Sequence, residues 1–141
     1  AILSTSSIQP DVGWIRVDPS TGHFVDTSGR VRIFHGLNVV FKQPPFLPDA
    51  ENWSPDLSFS EEDARNLRAW GFNVIRLGVL WAGTFPAGPN RSDPAYMNGI
   101  KRIISLCASQ GIFVVVDMHS DLLSRRFCGN GIPDWAVDRA L

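Results

Sequence analysis

Ile112-Phe113-Val114-Val115-Val116-Asp117-Met118 opens with an unbroken apolar run, rich in β-branched residues, that leads to an acid at its penultimate position. Such a run is expected of a parallel strand covered on both faces. Working back from it, Gly111 stands just past the end of a helix whose start is marked by Asp93-Pro94, a cap followed by proline at the first helical position. Met97, Ile100, Ile103, Ile104 and Cys107 recur at helical spacing and form the core face of that helix. Asn73-Val74-Ile75-Arg76-Leu77-Gly78-Val79 precedes the helix as another strand, starting about 39 residues earlier, the length of one β/α unit with its loops. Before it, Ser60 caps a helix from Glu61 to Trp70, with Asp63 three positions on and Gly71 at its end. Trp70, at the end of this helix, is expected in the core. Leu37 to Val40 ends a first strand that begins near Val31. At the N-terminal side, residues 12–33 read as a strand-turn-strand: Val12 to Val17 is short and apolar-rich, and His23 to Val25 and Val31 to Phe34 flank the turn Asp26-Thr27-Ser28-Gly29, a small hairpin.

The order hairpin, β, α, β, α, β implies a parallel sheet with right-handed crossovers, an α/β fold. Periodicity leaves two architectures open, a doubly wound sheet or part of a (β/α)8 barrel. A full barrel takes roughly 250 residues. The chain has 141, so the expectation is a partial (β/α)8 (TIM) barrel: three β strands and two helices after an N-terminal β hairpin, truncated after the third strand. Residues 1–11 are expected to form a tail and residues 12–141 the barrel portion.

Bulk properties exclude some function classes. Apolar residues make up 44% and charged residues 19%, as in a globular protein rather than a disordered one. The net charge is −1 and the 13 basic residues are scattered, so nucleic acid is not an expected partner. No apolar run approaches the length of a membrane span. Two cysteines, Cys107 and Cys128, do not make a disulfide framework. Cys107 reads as a buried free thiol. Ala1 to Ser7 reads either as the tail of a removed signal peptide or as the start of a fragment. Asn52-Trp53-Ser54 and Asn90-Arg91-Ser92 are glycosylation sequons, and a secreted or lysosomal route is expected.

Ligands of α/β folds bind at the carboxyl ends of the strands. Here those ends carry Asn38 with Phe41-Lys42, then Arg76 running out to Trp81, then Asp117-Met118-His119-Ser120-Asp121. Each has two readings. Arg76 interrupts an apolar strand and is either a structural ion-pair member or the orienter of a catalytic carboxylate. His119 is either a satisfied polar residue or, with Asp117 and Asp121 beside it, part of a ligand site. Lys42, one of two lysines, is surface charge or a substrate donor. Trp81 is packing or a platform for a sugar ring. His23 and His35 read as structural. A metal reading of Asp-x-His-x-Asp is set aside on the expectation that the strand turns these residues to opposite faces, and no metal is assigned. Gly-rich phosphate loops, Gly-x-Ser-x-Gly, Cys-x-x-Cys and His-Glu-x-x-His are all absent.

Several segments go further. His35-Gly36-Leu37-Asn38-Val39-Val40-Phe41-Lys42 with Pro44-Pro45, Trp70-Gly71-Phe72-Asn73-Val74-Ile75-Arg76-Leu77-Gly78-Val79 and Asp117-Met118-His119-Ser120-Asp121 closely resemble endoglycoceramidases, members of glycoside hydrolase family five. So do Leu123-Ser124-Arg125-Arg126-Phe127-Cys128-Gly129 and Ile132-Pro133-Asp134-Trp135. The resemblance runs over residues 12–138. The second-strand motif is general to the family, whereas Lys-x-Pro-Pro and Ser-Arg-Arg-Phe-Cys-Gly are specific to its ceramide-cleaving branch.

This resemblance implies a retaining hydrolysis that separates oligosaccharide from ceramide in a glycosphingolipid. One glutamic acid protonates the leaving oxygen and a second attacks the anomeric carbon. In the family these follow the fourth and seventh strands, the first in an Asn-Glu-Pro-like motif. The glutamates present are Glu51, Glu61 and Glu62, none at a strand's carboxyl end. The catalytic pair is therefore expected beyond the chain end, and the fragment alone is expected to be inactive. By the same resemblance, Lys42, His119 and Asp121 bind the sugar next to the scissile bond, and Arg76 keeps the nucleophile ionised. Ala82 departs from the family's usual acid after the tryptophan of the Trp-x-Gly segment. No cofactor is implied. The apolar loop Phe41 to Pro48 is expected either to receive the lipid or to pack against the rest of a barrel, and transient membrane-surface contact goes with the first reading. The rival readings are a family-five glycosidase acting on a β-glucan or steryl glucoside, and a non-catalytic carbohydrate- or lipid-binding protein.

Overall fold

The computed structural model describes residues 13–141. The expected tail at 1–11 and Val12 lie outside the described residues. Three strands form a parallel sheet in the order β3-β4-β5: β3 is Gly36–Val39, β4 is Val74–Leu80 and β5 is Phe113–His119. The register sets Asn38 beside Arg76 and Gly78 beside Asp117, with Leu80 beside His119. The polar side chains thus reach the same edge of the sheet.

A smaller antiparallel pair precedes it, β1 (Arg16–Val17) with β2 (Phe24–Val25). Val31 bridges Val25 and so belongs to this hairpin; the first parallel strand begins at Gly36, not near Val31. A close approach fixes that start, because a Cβ on Gly36 would fall 1.7 Å from the Val74 carbonyl oxygen. Asn73 staples the same point, accepting from the His35 N–H at 2.8 Å and donating to the Ile33 carbonyl at 2.8 Å. Edge-to-face contacts from Phe24 to Phe34 and on to Phe113, with centroids 5.2 and 5.4 Å apart, hold the hairpin to the sheet.

Helices α1 (Glu61–Ala69) and α3 (Pro94–Ser109) cover one face of the sheet. Asp63 accepts from the Ser60 N–H and hydroxyl, and Asp93 accepts from the N–H groups of Ala95 and Tyr96, as the capping signals require. Leu67, Ile75, Leu77, Ile103 and Cys107 form the heart of the core between them. Trp70 is not part of it: at 69% exposure it stands outside, because α1 ends at Ala69 and Gly71, with φ of 88°, turns the chain away. The sequence signalled two helices, but α2 (Trp81–Thr84), a 3-10 turn at Arg125–Phe127 and α4 (Asp134–Ala140) add to them.

The opposite face of the sheet stays open. Leu37, Asn38, Arg76 and Val115 line a cavity of about 630 Å³ there, closed at one side by Phe24 and Phe34. β5 forms an edge of the sheet, and Val115, Val116 and Met118 are exposed. The strand is therefore not buried on both faces as its composition implies, since that needs side chains packed on the second face, which the described residues do not supply.

Candidate functional site

β4 carries Arg76 outward from the helix layer onto the open face. Its Nη2 lies 2.6 Å from Asp117 Oδ2 on β5, and its Nη1 donates to Asn38 Oδ1 on β3 at 3.4 Å. Asp117 Oδ2 also meets His119 Nδ1 at 3.2 Å. On the far side of the ring, His119 Nε2 lies 3.1 Å from Asp121 Oδ2, which is ion-paired with Lys42 Nζ. One polar chain, Asn38-Arg76-Asp117-His119-Asp121-Lys42, therefore links all three parallel strands, running from Arg76 within β4 to Asp121 just past the carboxyl end of β5. Arg76, His119, Asp121 and Lys42, singled out from sequence, are brought together.

His119 is buried at 9% exposure, gripped at both ring nitrogens. The neutral ring donates through only one of them, so its tautomer decides which carboxylate it serves. Lys42 first, and then His119, hold the Asp121 carboxyl down at about 2 against the effect of partial burial. Asp121 is thus an anion at any ordinary pH, charged and partly exposed.

The expectation that the strand would separate Asp117, His119 and Asp121 onto opposite faces is incorrect. Residues two apart share a face, and the imidazole sits between the two carboxylates. The ring also keeps them from converging, since each acid meets a different nitrogen. Among the described residues no group of three His, Cys, Asp or Glu side chains is arranged to hold a metal ion.

Trp81 opens α2 directly after β4, half-buried and edge-on to Trp135 at 5.6 Å. Trp135 Nε1 in turn donates to the Phe85 carbonyl at 2.7 Å. Ala82, at the position of the missing acid, uses its backbone instead, donating to the Gly131 carbonyl at 2.9 Å. In the loop Phe41 to Pro48, residues 42–45 are exposed while Phe46 and Pro48 are buried. Phe46 is in the core at 9% exposure, and the Tyr96 hydroxyl donates to its carbonyl at 3.3 Å. Phe46 also borders a groove of about 870 Å³ lined by Phe41, Pro45, Trp53, Leu57, Pro86 and Tyr96.

Sequence reasoning missed Asn130. Its side chain reaches Asp121, and its backbone pairs with Asp121 in both directions. The signal was present as Gly129-Asn130-Gly131, two glycines around an amide. It also missed Tyr96, which is buried on the core face of α3.

The match to known proteins follows the same residues. Residues 31–140 match the family described as cellulase (glycosyl hydrolase family 5). An endoglycoceramidase of Cyanea nozakii is 44% identical over 124 residues, 88% of this chain and 24% of that protein. The structure of endo-glycoceramidase II from a Rhodococcus species is 31% identical with a TM-score of 0.58, covering 79% of this chain and 25% of that one. Sterylglucosidase 1 of Cryptococcus neoformans is 28% identical with a TM-score of 0.69, covering 82% of this chain and 19% of that one. The chain thus spans about a quarter or less of the length of these relatives. The open parallel sheet is accordingly a portion of a (β/α)8 barrel, and the chain belongs to glycosyl hydrolase family 5.

Proposed function

We propose that these residues are the first three β/α units of a retaining glycoside hydrolase of the endoglycoceramidase type, which cleaves between oligosaccharide and ceramide. The observation that carries this reading is the polar chain from Asn38 to Lys42 that links three strands and runs out past the carboxyl end of β5, where a barrel enzyme binds substrate. Lys42 and Asp121 offer a cationic donor and an anionic acceptor to sugar hydroxyls, and His119 bridges toward Asp117. Arg76, already against one carboxylate, supplies the positive charge that keeps a nucleophilic glutamate ionised. Trp81 flanks the site as an aromatic face for a sugar ring.

The two glutamates that break the bond come from outside these 141 residues, and the fragment alone does not hydrolyse. Glu51 is paired with Arg102 at 2.7 Å, and Glu61 and Glu62 sit in the first turn of α1, where they suit the helix dipole. None is near the strand ends. The substrate's lipid brings the enzyme into transient contact with a membrane surface, and the route is secreted or lysosomal, in keeping with the exposed Asn52 and Asn90 of the two sequons.

The likeness to sterylglucosidase 1 favours a second reading, hydrolysis of a steryl glucoside. The test is release of intact oligosaccharide from a fluorescent lactosylceramide by the protein extended to its natural stop codon and by the 141-residue chain. Release by the extended protein alone is expected. Cleavage of a steryl glucoside but not of lactosylceramide would move the assignment to the second reading. Turnover by the short chain would refute the placement of the catalytic pair.

A further inference from the structure

The residues after β5 fold back on the site. Asp121 and Asn130 pair as a two-residue bridge, with the Asn130 N–H donating to the Asp121 carbonyl at 2.9 Å and the Asp121 N–H donating back at 3.2 Å. The Ser120 hydroxyl donates to the Asn130 carbonyl at 3.2 Å. Both flanking glycines are needed for this approach. A Cβ on Gly129 would lie 2.3 Å from the Asp121 carbonyl oxygen, and one on Gly131, where φ is 118°, would lie 2.5 Å from the Ser120 hydroxyl. The loop is thus built to bring the buried Asn130 against Asp121.

What Asn130 does there is specific. Its Nδ2 donates to Asp121 Oδ2 at 3.4 Å, the oxygen that His119 and Lys42 also contact. Lys42 Nζ, Asn130 Nδ2 and the Nε2 nitrogen of His119 therefore converge on one carboxylate oxygen. No hydrogen bond from a described residue runs to Oδ1. The reversed amide would set two oxygens against each other, so the charge of Asp121 selects the observed orientation.

We propose that Asn130 is a positioning residue that fixes the Asp121 carboxylate with Oδ1 free to accept a hydroxyl of the sugar. This rests on the glycosidase reading above and goes beyond it by naming what orients the acceptor. Asn130 acts through Asp121 and does not itself touch substrate. Without it the carboxylate rotates about its terminal bond, and discrimination for the sugar hydroxyl weakens with the rate.

The test uses the full-length protein and an aryl β-lactoside, with analogues lacking one hydroxyl at a time on the ring next to the cleaved bond. Wild type is expected to lose most activity on the analogue whose hydroxyl Asp121 accepts, and Asp121→Asn to lose that preference. Asn130→Ala is expected to lower kcat/KM on the intact lactoside about tenfold, as for one hydrogen bond to a charged group. It should also shrink the penalty for that one analogue. Asn130→Asp, which keeps the shape and reverses the donor, should act in the same direction and decides the matter if Asn130→Ala does not fold. An equal fall on every substrate would mean that Asn130 only stabilises the loop, and would overturn the proposal. Unchanged kinetics in both variants would overturn it too. A wild-type enzyme that cleaves neither aryl lactoside nor lactosylceramide would remove the glycosidase reading and the proposal with it.

Discussion

Arg76 and Asp117 meet at 2.6 Å across neighbouring strands, although neither is the other's partner in the strand register, where Arg76 faces Val115 and Asp117 faces Gly78. The guanidinium thus lies along the sheet toward the carboxyl end of β5. Arg76→Met should therefore lower oligosaccharide release by the full-length enzyme roughly 100-fold, the scale of losing one preorganised electrostatic contact. Arg76→Lys should recover part of this, since an ammonium cannot reach Asp117 and Asn38 as a fork. Steady-state kinetics on lactosylceramide would check both, and wild-type rates in Arg76→Met would contradict the role.

Tyr96 is a hub rather than a surface residue. Its hydroxyl accepts from the Leu80 N–H at 3.0 Å and donates to the Phe46 carbonyl, so α3, the end of β4 and the loop after β3 share one oxygen. Burial pushes its phenol up from the usual value. Tyr96→Phe leaves a buried N–H without its partner and should cost about 1–3 kcal/mol of stability. Urea unfolding would measure it, and a change well below that range would count against the hub.

Asp26 links hairpin stability to pH. Burial pushes its carboxyl up, but the Arg30 N–H and guanidinium and the Ser28 N–H outweigh this and hold it at about 2. Its folded value is depressed, so its contribution is complete above the unfolded value of about 4 and is lost as pH falls toward about 2. Asp26→Asn should melt below wild type at neutral pH, and the two melting curves should converge between about pH 4 and pH 2. Curves that stay parallel through that window would exclude this linkage.

The two thiols should differ in reactivity. Cys107 is buried in the core and pushed up to about 12 by desolvation, while Cys128 is exposed. Native protein should take up one iodoacetamide, at Cys128, and a second only on unfolding. Peptide mass mapping reads the sites directly, and native labelling at Cys107 would show that its packing opens.

Much of this architecture was legible because its signals are local. Asp93-Pro94, Ser60 with Asp63, and Gly71 and Gly111 each act over a few residues, and each holds its place. Arg76, His119, Asp121 and Lys42 were visible as polar residues at one end of apolar strands. Their mutual contacts were not, because Lys42 and Asp121 are far apart in sequence and meet only through tertiary structure. The misplacement of Trp70 has the same origin: the residue is large and apolar, and only packing decides that it stands outside. Asn130 looked like an ordinary loop residue until the chain folded back on Ser120.

The polar chain linking the strands holds two cations, Arg76 and Lys42, against two carboxylates, Asp117 and Asp121. With His119 neutral its formal charges cancel, so it projects little long-range field. A site of this kind does not attract its substrate from a distance, and dissolved salt has little to screen between it and an uncharged sugar. Ionic strength would then act on how such a protein meets a charged lipid surface, not on how it grips the carbohydrate.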